Sequence, residues 1–156
     1  MNTLFIVYLG GSAPKANIEL HDIQFVTGNT IEDTYNQLRD NWFGSIKGLH
    51  IDSYKAINGA DGHRVYLHPE PQNSDKHLYF VNLGGYYQNK LNEIHEFSLF
   101  VANSEAEAKK RAINSLLVGA AHIHKDNLLD VDDCLKINRI NGNYIHLHPS
   151  EDMFNL

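Results

Sequence analysis

The chain repeats itself. Leu4-Phe5-Ile6-Val7-Tyr8-Leu9-Gly10-Gly11 returns as Leu78-Tyr79-Phe80-Val81-Asn82-Leu83-Gly84-Gly85, a displacement of 74 residues (78 − 4). Glu19-Leu20-His21-Asp22 returns as Glu93-Ile94-His95-Glu96 at the same displacement, and His50-Ile51-Asp52 finds a match in His124-Lys125-Asp126. Leu67-His68-Pro69 and Leu147-His148-Pro149 close the two copies at a displacement of 80 (147 − 67), so the second copy carries six additional residues (80 − 74). Such a duplication narrows the fold to two similar units, because one pattern of apolar, polar and turn residues meets the same packing problem twice.

Each copy reads as β-β-α-β-β. Leu4–Leu9 and Leu78–Leu83 are apolar runs of strand-forming residues, which predict buried strands. His21–Val26 and His95–Val101 predict half-buried strands, with Ile23 and Phe25 on the inner face and Asp22 and Gln24 on the outer. Thr30 and Ser104 predict helix starts, with Asp33 and Glu107 at the capping-box position three residues on. In the first helix Ile31, Tyr35, Leu38 and Trp42 form the expected apolar stripe, and Gly44 ends it; Gly119 ends the second. Residues 49–57 and 63–68 are expected to pair across Asn58-Gly59 and Asp61-Gly62, and Leu135–Ile140 with Asn143–Leu147 across Asn141-Gly142. The fold class expected is α+β: two tandem ββαββ repeats, a mostly antiparallel sheet with helices packed on one face. The repeats cover residues 1–70 and 78–150, with a Pro-containing linker at 71–77. A unit of about 75 residues is marginal alone, so the two are expected to share a core or interface.

Of 156 residues, 42% are hydrophobic and the net charge is −6, with no run of Lys or Arg. That balance predicts a globular protein and argues against nucleic acid or an anionic membrane as partner. The single cysteine, Cys134, excludes an internal disulfide and suits a reducing compartment. The apolar run at Leu4–Leu9 is too short to span a membrane and lacks a basic lead, so a cytoplasmic protein is expected.

The two copies also serve as a comparison within one chain. Between Ile31–Phe43 and Glu105–Leu117 no aligned position is identical. Gly-Gly, Glu-x-His and His-x-Asp persist through that drift, so they are constrained by folding or by function. Glu19 and His21, like Glu93 and His95, are two apart on a strand and point the same way, toward the apolar face. They are expected to be largely buried and paired, either as a structural pair or as a general base or ligand contact. His50 with Asp52, and His124 with Asp126, stand at the entry to the third strand and could grip one ligand. Asp52 and Asp126 could equally cap a turn. Binding residues are therefore sought among Glu19, His21, His50, Asp52, Glu93, His95, His124 and Asp126.

Other candidates fall away on chemistry. The Gly-Gly pairs are followed by a second strand rather than a helix, so they are not phosphate loops, and a turn with positive φ is the expected role. Asp130, Asp132 and Asp133 lack the glycine and distal glutamate of a calcium loop. Acidic neighbours raise the thiol pKa of Cys134, which argues against a nucleophile. No Ser or Thr stands in a nucleophile elbow.

The motif order resembles a known family. Strand-Leu-Gly-Gly, Glu-x-His-Asp, Trp42-Phe43-Gly44, Leu49-His50-Ile51-Asp52, the run Leu128–Cys134 and Tyr144-x-His146-Leu147 are together similar to bacterial proteins of the domain of unknown function 1543, over essentially the whole chain. The resemblance implies one or two domain copies and a bacterial source, and it carries no catalytic residue with it. The function expected is a non-enzymatic binding or interaction module for a small molecule or a protein, with a homodimer left open and no cofactor or metal assigned. The alternative is a small metal-assisted or acid/base enzyme using the duplicated Glu-x-His and His-x-Asp pairs.

Overall fold

The structure is a computed structural model that describes residues 1–116 and 130–156, the latter with backbone only at 130–132. Strand β1 (Thr3–Gly11) lies between β2 (Leu20–Gly28) and β3 (His50–Ala56), antiparallel to both. Strand β6 (His77–Gly85) lies likewise between β7 (Ile94–Ala102) and β8 (Asp130–Ile137). The registers agree at the displacement of 74. Thr3 faces Gly28 as His77 faces Ala102, and the bulge between Tyr8 and Leu9 returns between Asn82 and Leu83. β1 and β6 share one burial pattern, half-buried at the first and sixth residues and buried at the other seven, as two solutions of one packing problem should.

Two short helices accompany these sheets among the described residues: α1 (Tyr35–Asn41), entered through a 3-10 turn at Glu32–Thr34, and α2 (Glu105–Ser115). Two hairpins complete the strands. β4 (Gly59–Ala60) reverses at Asp61-Gly62 into β5 (His63–His68), and β9 (Arg139–Ile140) reverses at Asn141-Gly142 into β10 (Asn143–Pro149). All four turn residues have positive φ, the conformation a two-residue hairpin needs to match strand twist. The strands of the hairpins form a sheet in the order β4-β5-β10-β9. Residues 49–57 were expected to pair with 63–68. Instead β3 pairs with β1, where Ile51 and Ala56 reach the core, and β5 pairs with the two-residue β4 on one side and β10 on the other.

By contacts the chain divides into two units that interleave along the sequence. Unit 1 comprises Met1–Asn58, Val65–Pro71 and Arg139–His146; unit 2 comprises Gly59–Arg64, Gln72–Asn138 and Leu147–Leu156. The core of unit 1 joins Phe5, Val7 and Leu9 of β1 and Val26 of β2 to Ile31, Leu38 and Trp42. The core of unit 2 joins Tyr79, Val81, Leu83, Phe100 and Ala102 to Ala108, Ala112 and Leu116. Among the described residues no helix is long and apolar enough to cross a membrane.

The helix stripe differs from expectation at one position. Ile31, Leu38 and Trp42 are buried, but Tyr35 is exposed and Thr34 is fully buried in its place. A 3-10 turn advances three residues per revolution, so Thr34 eclipses Ile31 and its hydroxyl donates to the Ile31 carbonyl at 2.6 Å. Tyr35 lies outside. The same phase holds in α2, where the buried Ala108, Ala112 and Leu116 stand 74 residues after Thr34, Leu38 and Trp42. The second start is capped by the Ser104 side chain, whereas in the first the N-cap residue makes no side-chain cap bond and only the reciprocal arm forms. Asp33 accepts from the Thr30 amide, Ser104 accepts from the Glu107 amide, and Glu107 accepts from the Asn103 amide.

Candidate functional site

Gly10 and Gly11 do not sit in a left-handed turn as expected; they are the last residues of β1, and neither has positive φ. Their role is close approach. A Cβ at Gly11 would stand 2.7 Å from Cζ2 of Trp42. A Cβ at Gly10 would stand 2.7 Å from Nε2 of His50, 2.9 Å from Asp52 Oδ2 and 2.9 Å from Glu19 Oε1. Any other residue at position 10 would fill the space that these three groups occupy.

The ladder explains why they meet there. Gly10 is paired with His21 on β2 and with His50 on β3, so the two imidazoles flank the glycine on one face of the sheet. Glu19 lies two residues before His21. The bulge opposite Tyr8 and Leu9 inserts Asp52 between the paired residues Ile51 and Ser53. Glu19, His21, His50 and Asp52, drawn from two segments about 30 residues apart, therefore converge within unit 1.

They form one network. His50 Nε2 stands 2.9 Å from Glu19 Oε1 and 3.1 Å from Asp52 Oδ1. His21 Nδ1 stands 3.1 Å from Asp52 Oδ2, and its Nε2 is 3.5 Å from Glu19 Oε2. The His21 ring stacks on Tyr8 at 5.1 Å with the planes 4° apart. His50 Nδ1 donates to the Gly48 carbonyl at 2.8 Å; a carbonyl only accepts, so the proton on this nitrogen is assigned. That hydrogen bond, opposed by desolvation and reinforced by the charges of Asp52 and Glu19, raises the His50 pKa above its ordinary value. His21 and His95, expected to be largely buried, have side chains 38% and 47% exposed, and that of His50 is 46% exposed. The polar pair projects beyond the apolar part of the strand face, which begins at Phe25.

The second copy departs from this arrangement. His95 Nε2 lies 3.4 Å from Glu93 Oε2, and Asn82, at the position of Tyr8, approaches His95 Nδ1 at 3.2 Å. His124 and Asp126 lie outside the described residues. Gly84 pairs with Asp130 and Leu83 with Val131, as Gly10 pairs with His50 and Leu9 with Ile51. The six additional residues thus precede β8, and Asp130-Val131-Asp132 takes the place of His50-Ile51-Asp52 in the ladder. A match of residue type at 74 concealed a match of backbone at 80.

Two other groups lie apart from this cluster. Burial first, then Glu105, raises the Cys134 thiol pKa, with Lys109 opposing, so the thiol stays protonated at neutral pH. His146 stacks on His68 at 4.5 Å and donates through Nε2 to the Glu70 carbonyl at 2.6 Å.

Comparison with known proteins agrees with this duplicated plan. The chain is similar to the crystal structure of a protein Il1583 from Idiomarina loihiensis, at 38% identity and a TM-score of 0.78, over 100% of this chain and 91% of that one. No curated protein matches. The model of the family described as Domain of Unknown Function (DUF1543) matches twice, at residues 16–67 and 90–140. Those segments cover more than half of the chain and divide between its two copies, so the protein belongs to that family and carries its domain twice.

Proposed function

We propose that this protein is a non-enzymatic binding module, a duplicated ββαββ unit with each helix on one face of its sheet, whose first copy presents a ligand site made by Glu19, His21, His50 and Asp52. The observation that carries this reading is their convergence over Gly10, where a side chain would collide with three of them. Local caps would need neither the meeting of two sequence segments nor the missing Cβ. The groups are a third to a half exposed, so a ligand reaches them without an opening step. The single cysteine and the net charge of −6 support a cytoplasmic setting without nucleic acid or membrane as partner.

The reading is tested by titrating isotope-labelled protein with a panel of small polar ligands of differing charge. Amide and imidazole shifts confined to Gly10, His21, His50 and Asp52, and absent in Gly10→Ala, are expected. Shifts confined to another surface contradict the reading.

One observation favours an acid/base enzyme instead: a single imidazole nitrogen, His50 Nε2, is shared by two carboxylates. Efficient acid/base catalysis draws on a site that excludes water and shapes a substrate, and this cluster stands open at a sheet rim. Turnover of any panel member that stops in His50→Gln would favour the enzyme.

A further inference from the structure

We infer that the cluster over Gly10 is a proton-operated clasp: a proton on His50 Nε2 ties Glu19, and with it the segment that leads into β2, to β3, and loss of that proton releases Glu19 and disassembles the site. The inference rests on the reading of this cluster as the binding site and names how that site is regulated.

The tautomer of His50 comes first. Its Nδ1–H is committed to the Gly48 carbonyl, so the neutral ring would present a lone pair at Nε2. That nitrogen stands 2.9 Å from Glu19 Oε1 and 3.1 Å from Asp52 Oδ1, both within hydrogen-bond distance. A lone pair and two carboxylate oxygens repel one another at such distances. With a proton on Nε2 the imidazolium donates to both oxygens, and the contacts become charge-assisted. The observed arrangement is therefore the protonated form of the cluster, and the neutral ring removes what holds it together.

The chain decides which carboxylate lets go. Asp52 lies on the same strand as His50, is placed by the bulge, and keeps a second partner in His21 Nδ1 at 3.1 Å. Glu19 stands just before the first residue of β2, outside the ladder, and its other oxygen is 3.5 Å from His21 Nε2, the longest contact of the four. The groups around His50 are thus Glu19 from the segment before β2, His21 from β2, Asp52 from β3 and, behind the His21 ring, Tyr8 from β1. Gly10 leaves the room in which three of them meet.

The sign of the switch follows. The Gly48 hydrogen bond, opposed by desolvation and joined by the charges of Asp52 and Glu19, raises His50 above 6.5. A raised imidazole stabilises the closed form fully below its unfolded value, and that contribution is lost as pH rises through the folded value. The clasp is closed in mildly acidic solution and opens on the alkaline side. The second copy keeps Glu93 and His95, 3.4 Å apart, but Asp130 takes the ladder position of His50, so the clasp belongs to the first copy.

The test is a pH titration of the isotope-labelled full-length protein by NMR. His50 Nε2 should lose its proton with a midpoint above 6.5 while Nδ1 keeps its own. The Glu19 carboxylate and the amides of residues 17–20 should shift with that same midpoint. Glu19→Gln should lower the His50 midpoint, Glu93→Gln should leave it in place, and His50→Gln should abolish the transition at Glu19. Melting curves establish that each variant is folded. A ligand of the polar panel that engages the cluster should bind more tightly below the midpoint than above it, and should raise the midpoint in return, because linkage is reciprocal. His50 titrating while Glu19 stays still, or a midpoint that Glu19→Gln leaves unchanged, overturns the clasp. If panel members still bind at the cluster, with equal affinity on both sides of the midpoint, the clasp alone falls. If Glu19 follows His50 but no panel member perturbs the cluster, the clasp stands and the binding reading falls.

Discussion

Asp61 and Arg111 meet through two hydrogen bonds, Nη1 to Oδ2 at 2.7 Å and Nη2 to Oδ1 at 2.6 Å, although 50 residues separate them. Within unit 2 this pair closes off β7: Asp61 Oδ2 accepts from the Val101 amide, and Arg111 donates to the Val101 carbonyl. In unit 1 one amide performs both tasks. Gln37, 74 residues before Arg111, donates to the Thr27 carbonyl and accepts from the Thr27 amide. The first copy thus satisfies its strand with a neutral side chain from its own helix. The second uses a charged helix residue and a turn residue contributed by Gly59–Arg64.

Removing Arg111 therefore leaves a part-buried carboxylate without its cation. Arg111→Met should cost about 1–3 kcal/mol in urea unfolding. Asp61 adds a pH dependence. Burial alone would raise its carboxyl, but hydrogen bonds from Arg111 and the Val101 amide, with the charges of Arg111 and His63, outweigh burial and hold it below 3.8. A depressed carboxyl stabilises the fold above its unfolded value, and that stabilisation is lost as pH falls through the folded value. Stability should therefore decline below about pH 4 in the wild type, and Asp61→Asn should show a shallower acid decline. Identical acid slopes would contradict this.

Trp42 fills the space beside Gly11 and donates from Nε1 to the Ser45 carbonyl at 3.1 Å. Trp42→Ala should destabilise by about 3–5 kcal/mol, and Gly11→Ala should also destabilise by pressing on the indole. Tyr35→Ala should change little, because that ring lies outside the core. Denaturant midpoints of the three variants check the order.

Gln24 offers a gain. Its side chain is 93% buried, and neither amide atom has a hydrogen-bond partner. An apolar residue of similar volume removes an unsatisfied amide at no loss of contact, so Gln24→Met should stabilise by about 1 kcal/mol. A lower melting temperature would sink this.

The interleaving of the two units bears on folding. Unit 1 includes Arg139–His146, and unit 2 includes Gly59–Arg64, so a cut between the copies removes part of each unit. Residues 1–72 alone are expected to remain unfolded or to self-associate, and the intact chain to melt in one step. A monomeric, cooperatively folded fragment would contradict this.

Strands and caps were legible in the sequence because they depend on local pattern. The apolar run at Leu4–Leu9, the Ser104 and Glu107 cap and the Asn141-Gly142 turn each carry their own signal. What was illegible depends on tertiary register. Nothing local distinguishes a glycine that turns from one that makes room, so Gly10 read as a turn while its neighbours across the ladder decided its role. His124-Lys125-Asp126 imitated His50-Ile51-Asp52 in residue type, and only pairing with Gly84 identified Asp130 as the counterpart. Thr34 took the place of Tyr35 because positions three and four after Ile31 lie on the same side of a helix, and spacing alone does not say which of the two is buried. Glu19, His21, His50 and Asp52 could be singled out from their persistence between copies, but their meeting point is set by a bulge with no sequence mark.

The most direct measurement is the spectrum of isotope-labelled full-length protein titrated with small polar ligands of differing charge. The account expects amide and imidazole shifts at Gly10, His21, His50 and Asp52 that are lost in Gly10→Ala. Shifts confined to another surface, or none with any ligand, would contradict it.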